Sequence, residues 1–192
     1  RIYYSLAAIK GVGEGAVDHI AEVRGDKPFE SLEDFCLRID PKQVNRRVLE
    51  SLIFAGAFDC FGIDRAALVT GMDRIIGYAQ RAAENKTSGQ FDIFGSGSGS
   101  GAGPEKISMP SFDPWTPSEK LMKEYQVLGF YLSAHPLDSY KETLAKLRVQ
   151  TFADFSVAVK KGASAGRLAG TVTSRQERKT RTGNKMGIVT FS

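Results

Sequence analysis

Lys10-Gly11-Val12-Gly13-x-Gly15 is the stretch of this 192-residue sequence whose residue types and spacing best suit chemistry. Glycines let the backbone reverse so tightly that successive N–H groups point outward at the start of the next helix, where the helix dipole favours an anion. Val12 would turn inward to fasten two helices together, and Lys10 is the one cation placed to assist. Such a turn cradles phosphate and reads a nucleic-acid backbone rather than base edges. The same glycines also suit a plain helix–helix turn with glycine at the cap positions, and the turn alone does not separate the two. A second candidate is Gln90-Phe91-Asp92-Ile93-Phe94, three large apolar residues between a helix and a Gly/Ser tract. Placed there they either dock in the pocket of a partner as a short linear motif or fold back on the helical region.

Signatures of catalysis are scarce. No Asp-x-Asp offers paired carboxylates for two metals, no GxxxxGK[ST] loop occurs, and the Gly11-x-Gly13-x-Gly15 series lacks the spacing and the preceding strand of a dinucleotide site. Cys36 and Cys60 form no CxxC, and His19 and His135 have no ligand neighbour at a useful spacing, so neither a metal nor a cofactor is expected and both cysteines read as core residues. His135, ahead of Pro136, reads as a hinge residue. The net charge of +4 is unevenly spread, since residues 160–192 hold +7 and the body −3. Any polyanion held by the body is therefore held by backbone geometry more than by side-chain charge. The basic tail reads either as a solvated hairpin or as a strand pair facing nucleic acid. With no apolar run near the roughly 20 residues of a membrane span and no secretion signal, a cytoplasmic setting without membrane contact is expected. The chain opens on Arg1, as an excised piece of something longer would.

The elements that must position these residues are mostly helical. Helices are expected over residues 3–9, Glu14 to Arg24, from Ser31 with Asp34 completing a capping box, from Lys42 to Ala55, and from Asp64 to about Asn85. The first pair and the pair meeting at Ala55-Gly56-Ala57-Phe58-Asp59 make two helix-hairpin-helix units, with Phe58 in the core and the first turn dominating any DNA contact. Residues 87–112 read as a flexible linker. Thr116, Pro117 and Glu119 open a further helix with the stripe Leu121, Tyr125, Leu128 and Leu132, and a second runs from Asp138 to Leu147. From Leu168 the period becomes two, through Gly170 and Val172, a turn at residues 180–184, then Met186, Ile188 and Thr190: a β-hairpin, too small to bury a core of its own.

Together, Ile9-Lys10-Gly11-Val12-Gly13, Phe29-x-Ser31-Leu32-x-Asp34-Phe35-Cys36, Asn45-x-Arg47-Val48-Leu49-Glu50-x-Leu52-Ile53-x-Ala55-Gly56-Ala57-Phe58-Asp59 and Gly129-Phe130-Tyr131-Leu132-Ser133-x-His135-Pro136-Leu137 closely resemble the C-terminal region of the alpha subunit of bacterial DNA polymerase III. The resemblance implies a mainly α chain: a tandem helix-hairpin-helix domain over 1–86, a linker over 87–112, a helical connector over 113–150, and over 151–192 the first strands of an incomplete OB-fold barrel. It further implies duplex DNA held by its backbone at Lys10, Gly11, Val12, Gly13 and Gly15. Gln90, Phe91, Asp92, Ile93 and Phe94 would be the peptide that docks the sliding clamp, and single-stranded DNA would meet the OB region. The family's catalytic aspartates would lie upstream of Arg1, so this part would not itself polymerise, and other replicase subunits would bind through regions outside it. Two alternatives remain: the helix-hairpin-helix module of a repair or junction-processing protein, and the error-prone relative of the same polymerase.

Overall fold

The computed structural model describes residues 4–88 and 106–192. The chain divides into two compact units, Arg1–Tyr131 and Leu132–Ser192.

In the first unit, a 3-10 turn over Leu6–Ala8 stands where a helix over 3–9 was expected, followed by α1, Glu14–Arg24. The Arg38 guanidinium stops α1 from outside. It donates to Arg24 O at 2.7 Å and Lys27 O at 3.0 Å, its Nε donates to Val23 O at 3.1 Å, and it stacks 4.6 Å above Phe29. A cation is thus placed on carbonyls at and just beyond the negative end of the helix. Helix α2, Leu32–Arg38, starts at Ser31, whose Oγ accepts from Asp34 N at 3.1 Å. The expected capping box is only half formed, because the Asp34 carboxylate accepts from Glu30 N and holds Arg38 instead of turning back to Ser31.

Helix α3 runs Arg46–Ala55, four residues shorter at its start than expected. Asn45 ends the preceding turn by accepting from both Arg47 N and Val48 N, at 3.0 and 3.2 Å, a strong N-cap that the apolar spacing alone did not reveal. The helix expected from Asp64 is two: α4, Arg65–Thr70, and α5, Met72–Ser88. The break falls at Gly71, where a Cβ would stand 2.6 Å from Met109 Sδ and 3.3 Å from Pro110 Cδ, so the chain at 109–110 crosses there. Helix α6, Pro117–Leu128, opens with the full capping box read from Thr116, Pro117 and Glu119. Its buried side is Leu121, Glu124, Val127 and Leu128, while Leu132 of the expected stripe is exposed. It joins the core formed by Leu32, Leu49, Leu52, Ile53, Leu68 and Ile75. Each such side chain stabilises the fold by roughly 1.5–3 kcal/mol relative to exposure. Phe58 is buried as expected, its ring edge-on to Phe35 at 5.0 Å. Of the cysteines, Cys36 lies in the core, but Cys60 is exposed in the 3-10 turn Asp59–Phe61.

The second unit holds a 3-10 turn over Pro136–Tyr140, then α7, Lys141–Lys146, α8, Phe152–Lys160, and the strands β1, Val172–Lys179, and β2, Lys185–Phe191. The connector expected over 113–150 is thus shared between the units, since α6 belongs to the first and α7 to the second. His135 caps the 3-10 turn: its Nδ1 accepts from Leu137 N, and its N–H donates to Asp138 Oδ2 at 2.7 Å. The sequence reading did not expect α8, although Thr151 and Asp154 carry its cap. The strands pair antiparallel from Val172 opposite Phe191 to Lys179 opposite Lys185, with an irregularity between Val172 and Ser174. Leu168 and Gly170 precede the ladder rather than sharing its face. Thr180 N donates to Asn184 O across the expected turn. The chain is mainly helical with a two-stranded C-terminal sheet, an arrangement that fits the start of an OB-like fold.

Candidate nucleic-acid interface

The structure gives Lys10 to Gly15 most of the anticipated geometry. Ile9 and Val12 are buried, Lys10, Gly13 and Gly15 exposed. Gly13 is the N-cap of α1 with no side chain capping it, and the N–H groups of Gly13, Glu14 and Gly15 have no acceptor among the described residues. A Cβ at Gly13 or Gly15 would meet nothing within 4 Å, so an incoming anion has open access to them. The outward set is narrower than expected, because Lys10 N donates to Val127 O at 2.9 Å and Val12 N to Ile9 O at 3.0 Å. Glu14 places a carboxylate in the first turn of α1, which trims the positive end of the helix.

Of the three glycines Gly11 is the one that geometry requires. Its φ is +92°, and a Cβ there would lie 2.7 Å from Ser51 Oγ and 3.7 Å from Arg47 Nε. Helix α3 therefore backs directly onto the turn. A cavity of about 130 Å³ opens between them, lined by Lys10, Arg47, Glu50, Ser51 and Gln126 among others. Sequence reasoning named Lys10 as the only cation at the turn and missed Arg47. The available signal was the four-residue spacing of Arg47 and Ser51, which puts both on one face of α3.

The second hairpin turn is built differently. The N–H groups of Gly56, Ala57 and Asp59 donate to Ile53 O, Leu52 O and Gly56 O, so they are occupied within the protein. A Cβ at Gly56 would fall 2.1 Å from an Arg65 terminal nitrogen, because that guanidinium lies against the turn. Arg65 grips Asp59 through two bonds, 2.8 and 2.6 Å, donates to Phe54 O at 3.0 Å, and pairs at 3.3 Å with Glu124, which is wholly buried. The bidentate bond to Arg65 holds the Asp59 carboxyl below its usual range, and the same bond raises the guanidinium. Elsewhere burial pushes the Cys36 thiol up to about 12. Burial works against the Glu33 carboxylate, but bonds from the Ile107 N–H and its own N–H bring it below the ordinary value.

Gln90, Phe91, Asp92, Ile93 and Phe94 lie outside the described residues. Among the described residues no group of acidic, histidine or cysteine side chains could hold a metal ion, and no helix is long and apolar enough to cross a membrane.

These features fit a helix-hairpin-helix motif, and a family model of that description matches residues 1–68, ending within α4. The whole chain is 36% identical to the DNA polymerase III subunit alpha of Caulobacter vibrioides over 193 residues, covering 16% of that protein. The subunits of Pseudomonas aeruginosa and Escherichia coli are also 36% identical, over 210 and 194 residues, again along the whole chain and over 17% and 16% of their own lengths. The chain thus spans about one sixth of the relatives it matches. Over that stretch it belongs to the family of DNA polymerase III alpha subunits and fits the C-terminal region of such a subunit.

Proposed function

We infer that this chain is a non-catalytic part of a bacterial replicative DNA polymerase, working in the cytoplasm at the nucleoid to keep the enzyme on its template. Lys10, Gly11, Val12, Gly13 and Gly15 hold duplex DNA by its phosphates, without regard to base sequence. Gln90, Phe91, Asp92, Ile93 and Phe94 tether the enzyme to the sliding clamp and so raise its effective concentration at the primer end. The basic hairpin, with Arg175, Arg178, Lys179, Arg181 and Lys185, faces single-stranded DNA, and the remaining replicase subunits bind elsewhere on the parent protein. The observation that carries this reading is the first turn: three outward N–H groups at the head of α1, open space above Gly13 and Gly15, and two cations, Lys10 and Arg47, beside them.

Two binding measurements test it. Gly13 has φ −81°, which proline accepts, so Gly13→Pro removes one outward N–H without requiring a new φ there. It should weaken binding to a mixed-sequence duplex several-fold, and an unchanged affinity would refute the role of the turn. Calorimetry with a bacterial sliding clamp should give micromolar or tighter binding that a Gln90→Ala/Phe94→Ala variant loses. Absence of heat in both proteins would remove the tether.

A further inference from the structure

Resting on that reading of the first turn, we propose that α3 supplies the floor of the phosphate site: Ser51 Oγ donates to a non-bridging phosphate oxygen of duplex DNA while the Arg47 guanidinium pairs with its charge. Ser51 is 7% exposed. Its hydroxyl has no hydrogen-bond partner among the described residues, although a helical serine can bond back to the carbonyl four residues earlier. Here it opens onto the 130 Å³ cavity under the turn. What leaves it open is the missing side chain of Gly11, since the Cβ position there is only 2.7 Å from Ser51 Oγ.

The cavity is several times the roughly 30 Å³ share of one water, enough for a phosphate group with some hydration. Lys10 and Arg47 bring two positive charges to its rim, against the one acid, Glu50. Neighbouring Arg46 is ion-paired to Asp73 and does not line the cavity. Of the two arginines on this stretch of α3, the one whose charge is available to a ligand here is therefore Arg47. The first turn then holds a phosphate between the head of α1 and the side of α3, joining the two hairpins in one site.

The test is a salt titration of duplex binding by fluorescence anisotropy, using the full chain and a mixed-sequence duplex. Ser51→Ala should weaken binding about tenfold, the scale of one hydrogen bond to a charged group, and leave the salt slope unchanged. Arg47→Gln should lower the slope of log K against log salt by about 0.9, one phosphate contact, and Arg46→Gln should lower it by less. Amide chemical shifts of the unaltered chain give an answer free of any folding defect: duplex should move the signals of Gly11, Arg47 and Ser51. If Gly13→Pro weakens binding while Ser51→Ala and Arg47→Gln match the parent chain, or if the duplex moves Gly11 but leaves the Arg47 and Ser51 amides in place, the α3 floor is wrong and the turn reading survives. If the parent chain binds no duplex, both fall together.

Discussion

Replacing Gly11 by alanine puts a methyl group 2.7 Å from Ser51 Oγ on a residue whose φ is +92°. Two separate costs follow. A Cβ in left-handed backbone costs about 1–2 kcal/mol. The forced contact adds the penalty of overpacking, about 1–3 kcal/mol, reduced to the lower end if the Ser51 hydroxyl turns to another staggered position. The sum, about 2–5 kcal/mol, is a large fraction of the stability of a typical domain. The two costs can be measured apart, because Ser51→Ala removes the offending oxygen and leaves Ser51 Cβ 3.7 Å away, an ordinary contact. Gly11→Ala on the Ser51→Ala background should therefore cost only the backbone part, with a coupling energy of about 1 kcal/mol or more. Urea unfolding followed by the fluorescence of Trp115 reads the correct unit, since it is the only tryptophan and packs on the core with its ring 5.8 Å from that of Phe54. A coupling energy indistinguishable from zero would refute the claim that α3 backs directly onto the turn. A total cost near zero would refute the turn conformation itself.

Two further outcomes concern residues beneath the site. Arg65→Met strands the wholly buried Glu124 without its arginine and should destabilise the first unit by about 3–5 kcal/mol, whereas Arg65→Met/Glu124→Leu should recover most of the loss in the same urea assay. Equal losses in the two proteins would show that the ion pair itself supports the fold. At pH 8 a thiol reagent should modify one cysteine quickly, the exposed Cys60, and reach Cys36 only on unfolding, because that thiol is buried and titrates near 12; peptide mapping that finds Cys36 labelled first would contradict the packing of α2.

Where a helix boundary is set by residues within one turn of it, the sequence was sufficient. Gly13 and Gly25 bracket α1 at the expected residues, and Thr116, Pro117 and Glu119 start α6 through contacts no more than three positions apart. Boundaries set from a distance were not legible. The break at Gly71 depends on Met109 and Pro110, which lie 38 and 39 residues further along the chain, and apolar spacing runs through it undisturbed. Burial of Glu124 follows the same logic: nothing near it in the sequence marks the carboxylate as buried, and its partner Arg65 lies 59 residues earlier in the chain. Cys60 reversed for a local reason, since it sits in the middle of a 3-10 turn between the exposed Asp59 and the left-handed Gly62.

The first turn divides along the same line. Alternating glycines announce outward N–H groups because that property belongs to the backbone of a few consecutive residues, and the open set Gly13, Glu14 and Gly15 agrees. Which N–H groups stay open is a tertiary matter, as Val127 of α6 takes the one from Lys10. Sequence also ranked the first turn above the second only by the missing Gly-x-Gly pattern. The structure supplies a physical reason, since at the second turn the N–H groups of Gly56, Ala57 and Asp59 are already satisfied and an internal guanidinium lies where the first turn has a cavity. Arg65 at Gly56 and Arg47 near Gly11 are thus two arginines beside two glycines of positive φ, in opposite states: one neutralised by Asp59 and Glu124, the other at the edge of an open cavity. Of the two turns, the first offers an anion a run of open N–H groups beside an open cavity, so phosphate contact should favour that end of the domain, and substitutions around Gly56 should change stability without changing the salt dependence of duplex binding.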